Sequence, residues 1–246
     1  MSPTTLKPAA ERSLDAHSEL GQAILHRVSR PWPVLYRLIA PDPSVPAPPE
    51  PNLDPPFAVR RVDPDSEDTA IIAAWMRQPA LVRGWEQDWP DERWYDQLKA
   101  QVESNYSHPY LILFRDKPIG YLECYRPAQD SIGATYAADP HDLGMHGAIA
   151  DEAMASKGFM VMLLPRLIKS FFELEPQCRR IMFDPEHKNV ETRRVFEHVG
   201  CVFLGEHQMP NRRMALYTLP RTPADVPESW PLEAEEPAAK TEEQPE

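Results

Sequence analysis

From Phe57 onward, apolar positions fall into blocks with strand or helix periodicity, separated by polar turns. Phe57–Val62 reads as a strand. Ile71, Ile72, Trp75 and Met76 form the i, i+1, i+4, i+5 stripe of a buried helical face. Trp94, Leu98 and Val102 recur every four residues, which predicts an amphipathic helix over Asp91–Ser104, opened by acids that suit the macrodipole. A hairpin follows: Tyr110–Phe114, a turn at Asp116–Lys117, and Ile119–Tyr125. Leu143–Ala150 is a further strand. Gly158–Leu174 is a helical run in which Pro165 predicts a kink or a bend. Arg180–Phe183 reads as a strand, Thr192–Val199 as a helix ended by Gly200, and Val202–Leu204 and Met214–Leu219 as closing strands. The order β-α-α-β-β-β-α-β-α-β-β predicts an α/β, loosely α+β, architecture with a mixed sheet and helices on both faces.

The flanks break this pattern. Residues 41–57 hold eight prolines in seventeen positions, which predicts an extended linker. Upstream, Leu20, Ile24, Val28 and Leu35 suggest at most a short amphipathic helix interrupted by Pro31 and Pro33. Residues 222–246 carry eight acids and one lysine, a net −7 out of the chain's −12, and read as a solvated acidic tail. The expected organisation is a largely disordered extension and linker over 1–56, a working domain over 57–221, and a disordered tail over 222–246. The charge argues against nucleic acid as a partner. No apolar stretch is long enough to span a bilayer and the N-terminus lacks a signal-peptide core, so the expected location is cytoplasmic. The three cysteines fit neither a disulfide framework nor a zinc pattern.

Phosphate-loop, dinucleotide, zinc-protease and nucleophile-elbow motifs are all missing from the sequence, so no metal site is expected. Lys157 and Gly158 open the helical run, and a helix N-terminus is where pyrophosphate binds; alone, they equally describe a solvated lysine and a turn glycine. His146 lies within the apolar strand, either as a satisfied core histidine or with its polar edge toward a cleft. Asp184 ends the strand RIMF, where a carboxylate lines a crevice or caps a turn before Pro185. Together they could orient an amine-type substrate and accept its proton. Glu123, in YLECY, is a strand-exposed acid or a substrate contact. Trp85 is carried as a substrate-site candidate, although loop aromatics such as Trp85 and Trp89 more often cap a core. Arg193, Arg194, Arg212 and Arg213 read as solvated faces, with anion contact as the lesser reading.

The blocks HPYLILFRDKPIGYLECYR, ADPHDLGMHGAIAD, KGF, RRIMFDPEHKNVETRRVFEHVGC and FLGEHQMPNRRMALY, in that order, resemble the GNAT acyltransferases. The branch is the one that acylates amines or hydroxylamines in hydroxamate siderophore assembly, of the aerobactin and mycobactin type. The resemblance implies a GNAT fold with a V-shaped splay between central strands and an acyl-CoA co-substrate, acetyl-CoA or succinyl-CoA. It implies that His146 of GMHGAI contacts the substrate nitrogen and that Asp184 of the DP..N motif accepts its proton. It also implies that Asn189 and the strand backbone at Ile149 meet the pantetheine arm, with Lys157 and Gly158 at the pyrophosphate. The general loop R/Q-x-x-G-x-G/A is matched only at Gly158, its ends being Ala155 and Met160, which leaves an acyl carrier protein open as donor. An aminoglycoside-type N-acetyltransferase and a non-catalytic acyl-CoA-sensing module are the rival readings.

Overall fold

The computed structural model describes residues 42–155, 157–209 and 212–231. Its strands are β1 (Phe57–Arg61), β2 (Ser107–Phe114), β3 (Lys117–Tyr125), β4 (Leu143–Ile149), β5 (Arg180–Phe183), β6 (Val202–Gln208) and β7 (Arg213–Pro220). The helices are α1 (Asp68–Met76), α2 (Pro79–Trp85), α3 (Asp91–Glu103), α4 (Glu152–Ala155), α5 (Phe159–Leu174) and α6 (Val190–His198). The strands make one seven-stranded sheet in the order β1-β2-β3-β4-β5-β7-β6. Every neighbouring pair is antiparallel except β4 and β5.

Strand alternation divides the core between the two faces of the sheet. Leu111 and Tyr121 face one layer with Ile72, Met76, Trp94 and Leu98 from α1 and α3. Tyr110, Ile112 and Leu122 face the other, where Leu163, Leu167 and Phe171 of α5 cover them. The mixed α/β sheet with helices on both faces is therefore as the periodicity predicts. Two local features differ. Trp85, expected in a loop, is the last residue of a short helix with Pro79 in its first turn, too short for a periodic stripe to reveal. Pro165 lies inside α5 rather than at a bend. It occupies the exposed face, so the Val161 carbonyl it leaves unpaired within the helix can turn to water.

The flanks are more ordered than their composition suggests. Residues 42–56, expected as part of a disordered linker, form a strap across the domain. Arg126 is fully buried, and its Nε and Nη2 donate to the Pro46 carbonyl at 3.1 and 2.9 Å. The Asn52 amide donates to Ser170 Oγ at 2.7 Å. Proline removes donors but keeps carbonyls, and a stiff run of carbonyls is what a buried guanidinium requires. Residues 222–231 likewise pack, against the expectation of a solvated tail: Asp225 pairs with Arg179 at 2.8 Å, and the Trp230 amide donates to the Thr135 carbonyl at 2.9 Å. The expected N-terminal helix and the acidic run beyond Pro231 lie outside the described residues. Among the described residues, no helix is long and apolar enough to cross a membrane.

Candidate active site

β4 and β5 pair only at Leu143↔Ile181 and Gly144↔Met182. β4 then continues through Met145–Ile149 along β3, while β5 ends at Phe183. The strands part into a V, and among the described residues the backbone edge of β4 beyond Gly144 has no ladder partner on that side. A cavity of about 430 Å³ occupies the opening. Its wall runs from Trp85, Asp130, Met209 and Arg212 past His146 and Asp184 to Ile149, Met160 and Asn189. Inward it reaches Ile112, Leu122, Met145, Leu164, Leu167 and Phe183.

His146 and Asp184 meet at the apex. His146 Nε2 lies 2.8 Å from Asp184 Oδ1, and its Nδ1 lies 3.0 Å from Glu123 Oε2. Glu123 is its cross-strand partner on β3. Alternation along YLECY brings Tyr121, Glu123 and Tyr125 to one face of that strand. Tyr121 Oη and Gln101 Nε2 donate to Glu123 Oε1 at 2.9 and 3.0 Å. Tyr125 stacks on the imidazole with ring centroids 4.6 Å apart, and its hydroxyl lies 3.2 Å from Nε2. A Cβ at position 144 would collide with the Tyr125 ring, so Gly144 makes that stack possible. Arg212 completes the group, its Nη2 donating to Asp184 Oδ2 at 2.7 Å.

An ionised carboxylate only accepts hydrogen bonds, so an imidazole held between two of them carries a proton on each nitrogen. Burial opposes that charge, but Asp184 and Glu123 outweigh it and push the His146 pKa up to about 9. Burial, reinforced by Asp184, drives the Tyr125 phenol well above its usual range, so it remains a donor. The cluster thus offers two fixed cations, two carboxylates and a neutral phenol.

The structure gathers most of the candidate residues but changes several of their settings. His146, Asp184, Ile149, Asn189 and Trp85 all line the cavity. Asn189 also caps α6, with Oδ1 accepting from the Thr192 amide at 3.1 Å. Gly158 precedes α5 at φ 72°, the left-handed region that favours glycine. Lys157 beside it is exposed, and neither residue lines the cavity; α5 reaches it through Met160. Glu123, carried as a substrate contact, is 1% exposed and stands behind His146, outside the cavity wall. Trp85 both packs on Tyr121 and lies edge-on to His146, whereas Trp89 packs on Trp94 as a cap. Arg212 is not on a solvated face: it spans from Asp184 to the Gly84 carbonyl across the cavity mouth. Arg193 is engaged by Tyr217 and the His187 carbonyl. Sequence reasoning missed Tyr125 and Gln101, and read Arg212 chiefly as a solvated side chain with anion contact as the lesser reading. Of the first two only the tyrosine left a signal, sharing the strand face of Glu123.

Residues 65–209 match the family model described as an acetyltransferase (GNAT) domain. The chain is 54% identical over 191 residues to lysine N-acyltransferase MbtK of Mycobacterium sp. (strain MCS), covering 78% of each chain. It is 27% identical over 157 residues to the N(6)-hydroxylysine O-acetyltransferase of Escherichia coli, covering 64% of this chain and 50% of that one. Among solved structures, aminoglycoside acetyltransferase AAC(6')-Ib in complex with coenzyme A superposes with a TM-score of 0.59 at 21% identity. That match covers 67% of this chain and 95% of the other.

Proposed function

The chain belongs to the GNAT acyltransferase family and is an acyl-CoA-dependent N-acyltransferase, and from that premise we propose that its acceptor is the side-chain nitrogen of lysine or N6-hydroxylysine, in hydroxamate siderophore assembly. The observation that carries the reading is the His146–Asp184 pair at the apex of the β4–β5 opening, facing a cavity that runs on into the apolar core.

The acyl thioester lies along the unpaired edge of β4, its carbonyl polarised by strand N–H groups. Asn189 and the backbone at Ile149 meet the pantetheine arm, and the start of α5 with Lys157 and Gly158 faces the pyrophosphate. The acceptor enters on the Trp85 and Arg212 side. Its nitrogen attacks the thioester carbon, the carbon–sulfur bond breaks, CoA departs as the thiolate and is protonated from water, which the proton collected by Asp184 balances, and no covalent enzyme intermediate forms. Because both imidazole nitrogens are protonated and engaged by Glu123 and Asp184, His146 is not the base; it holds Asp184 beside the incoming nitrogen, and Asp184, directly or through water, takes the proton. A free alkylamine, with a pKa of about 10.4, must be deprotonated first. A hydroxylamine arrives neutral and asks less of Asp184.

The cavity also bears on the acyl group. An acetyl group fills only the mouth, while Leu122, Leu164, Leu167 and Phe183 continue inward and suit a longer hydrocarbon chain. A succinyl carboxylate carried to that depth would meet no polar partner among these side chains. Purified protein mixed with acetyl-, succinyl- and decanoyl-CoA, and with lysine or N6-hydroxylysine, tests this through thiol release and product mass. One donor–acceptor pair yielding an amide or hydroxamate identifies both substrates. Turnover of kanamycin but of neither lysine form would favour the aminoglycoside reading. No thiol release from folded protein with any pair would refute CoA as donor, leaving the same acyl group on a carrier protein's phosphopantetheine, or a sensing role, to be tried next.

A further inference from the structure

We propose that Arg212 is the specificity-determining residue that makes this site choose an acceptor bearing a carboxylate, an α-amino acid with a side-chain nitrogen, over the diamine of equal length that lacks it. The inference rests on the amine-acyltransferase reading above and adds what the acceptor's far end must be.

Arg212 is the one arginine or lysine among the described residues lining the cavity. The other charged lining residues, His146 apart, are acids: Asp130, Asp184, Glu186 and Glu191. Its guanidinium reaches from the hairpin side of the mouth to Asp184 Oδ2 at 2.7 Å and to the Gly84 carbonyl at 3.2 Å. A guanidinium fork carries more donors than these two bonds use, and it matches a carboxylate bidentately. The side chain is 19% exposed where it borders the cavity, so a ligand can reach it without unfolding the hairpin.

The sign of the effect follows from where the acceptor's far end lies. Around the apex the guanidinium and the His146 imidazolium offset Asp184 and Glu123; Asp130, Glu186 and Glu191 leave the cavity as a whole acidic, so the discrimination is local to Arg212. A diamine brings a lone second ammonium toward Arg212 and is repelled; an amino acid of the same chain length brings that ammonium with a carboxylate beside it, and the carboxylate can turn to the guanidinium and is attracted. In a half-buried site that difference is poorly screened. A carboxylate drawn to Arg212 also competes with Asp184 for it, freeing Oδ2 for the acceptor's proton. An ion pair that merely pinned the hairpin to α2 would treat both acceptors alike.

The test compares kcat/KM for lysine, lysine methyl ester and cadaverine, and for N6-hydroxylysine and N-hydroxycadaverine, with one acyl-CoA. Wild type should prefer the free carboxylate by about tenfold or more, the scale of one poorly screened charge pair. Arg212→Gln should compress that preference to within about threefold, chiefly by raising KM for the amino acid, and Arg212→Lys should retain much of it. If Arg212→Gln fails to fold, the methyl ester tests the same contact in wild type. The proposal is overturned if Arg212→Gln slows every acceptor in proportion, or if wild type uses the ester or the diamine as well as the free acid. Wild type that releases no thiol with any acceptor overturns the acyltransferase reading itself and this inference with it.

Discussion

His146 keeps its proton because two carboxylates face one ring, Glu123 on Nδ1 and Asp184 on Nε2. Glu123 acts through His146 and is a positioning residue. Glu123→Gln should lower the imidazole pKa from about 9 by roughly a unit or more, read by NMR titration of histidine-labelled protein; an unmoved titration would remove Glu123 from the account. The same pairing links stability to pH. The folded pKa lies above the unfolded value of about 6.5, so the stabilisation is fully present below pH 6.5 and is lost as pH rises through 9. The stability gap between wild type and His146→Gln, measured by denaturant unfolding, should therefore narrow between about pH 6.5 and pH 9.5. A constant gap would mean that the ring is not held as a cation. The strand-end aspartate and the histidine within GMHGAI could be read from the chain because strand periodicity places them. The company they keep could not: Gln101 reaches Glu123 from α3, and Arg212 reaches Asp184 from the β6–β7 hairpin. Both are long-range contacts without a local spacing.

At the level of elements, periodicity found every strand of the sheet, since each buries apolar side chains in one of the clusters on its two faces. It missed α2 and α4, which at seven and four residues are too short for a periodic stripe. Two positions of α5, its start and its inner face, bear on the proposed donor site. α5 starts after Gly158 at φ 72°, where an added Cβ would meet nothing within 4 Å, so the cost of a side chain there is conformational. Gly158→Ala should destabilise the fold by about 1–2 kcal/mol in denaturant unfolding. No loss would show that the turn relaxes without the left-handed conformation. Leu164, on the inner face of α5, lines the apolar end of the cavity. Leu164→Phe should lower turnover of decanoyl-CoA at least about tenfold while acetyl-CoA is spared, at a stability cost of about 1–3 kcal/mol for overpacking. Equal losses on both donors would place the acyl chain elsewhere.

Across the whole molecule, the domain is larger than its apolar pattern. The strap over 42–56 supplies the Pro46 carbonyl to a guanidinium with no exposure to solvent, and Arg126 also bonds the His141 carbonyl and Glu175. Proline composition reads locally as linker; its packing depends on Arg126, some 80 residues away in sequence, which is why it escaped notice. Beginning the chain at Phe57 should strip the buried guanidinium of these acceptors and lower stability by about 1–3 kcal/mol, seen as a reduced melting temperature; an unchanged melting temperature would mean that water replaces the strap. The sheet's other asymmetry, the early end of β5, makes the V that holds the cavity.

The most direct test of the account is the steady-state rate of acyl-lysine formation, by product mass, for wild type and Asp184→Asn at saturating acceptor. The account predicts kcat reduced about 10²-fold or more, with KM for acyl-CoA little changed, because the donor site is built by other residues. Turnover equal to wild type would contradict Asp184 as the proton acceptor, and with it the chemistry assigned to the apex of the opening.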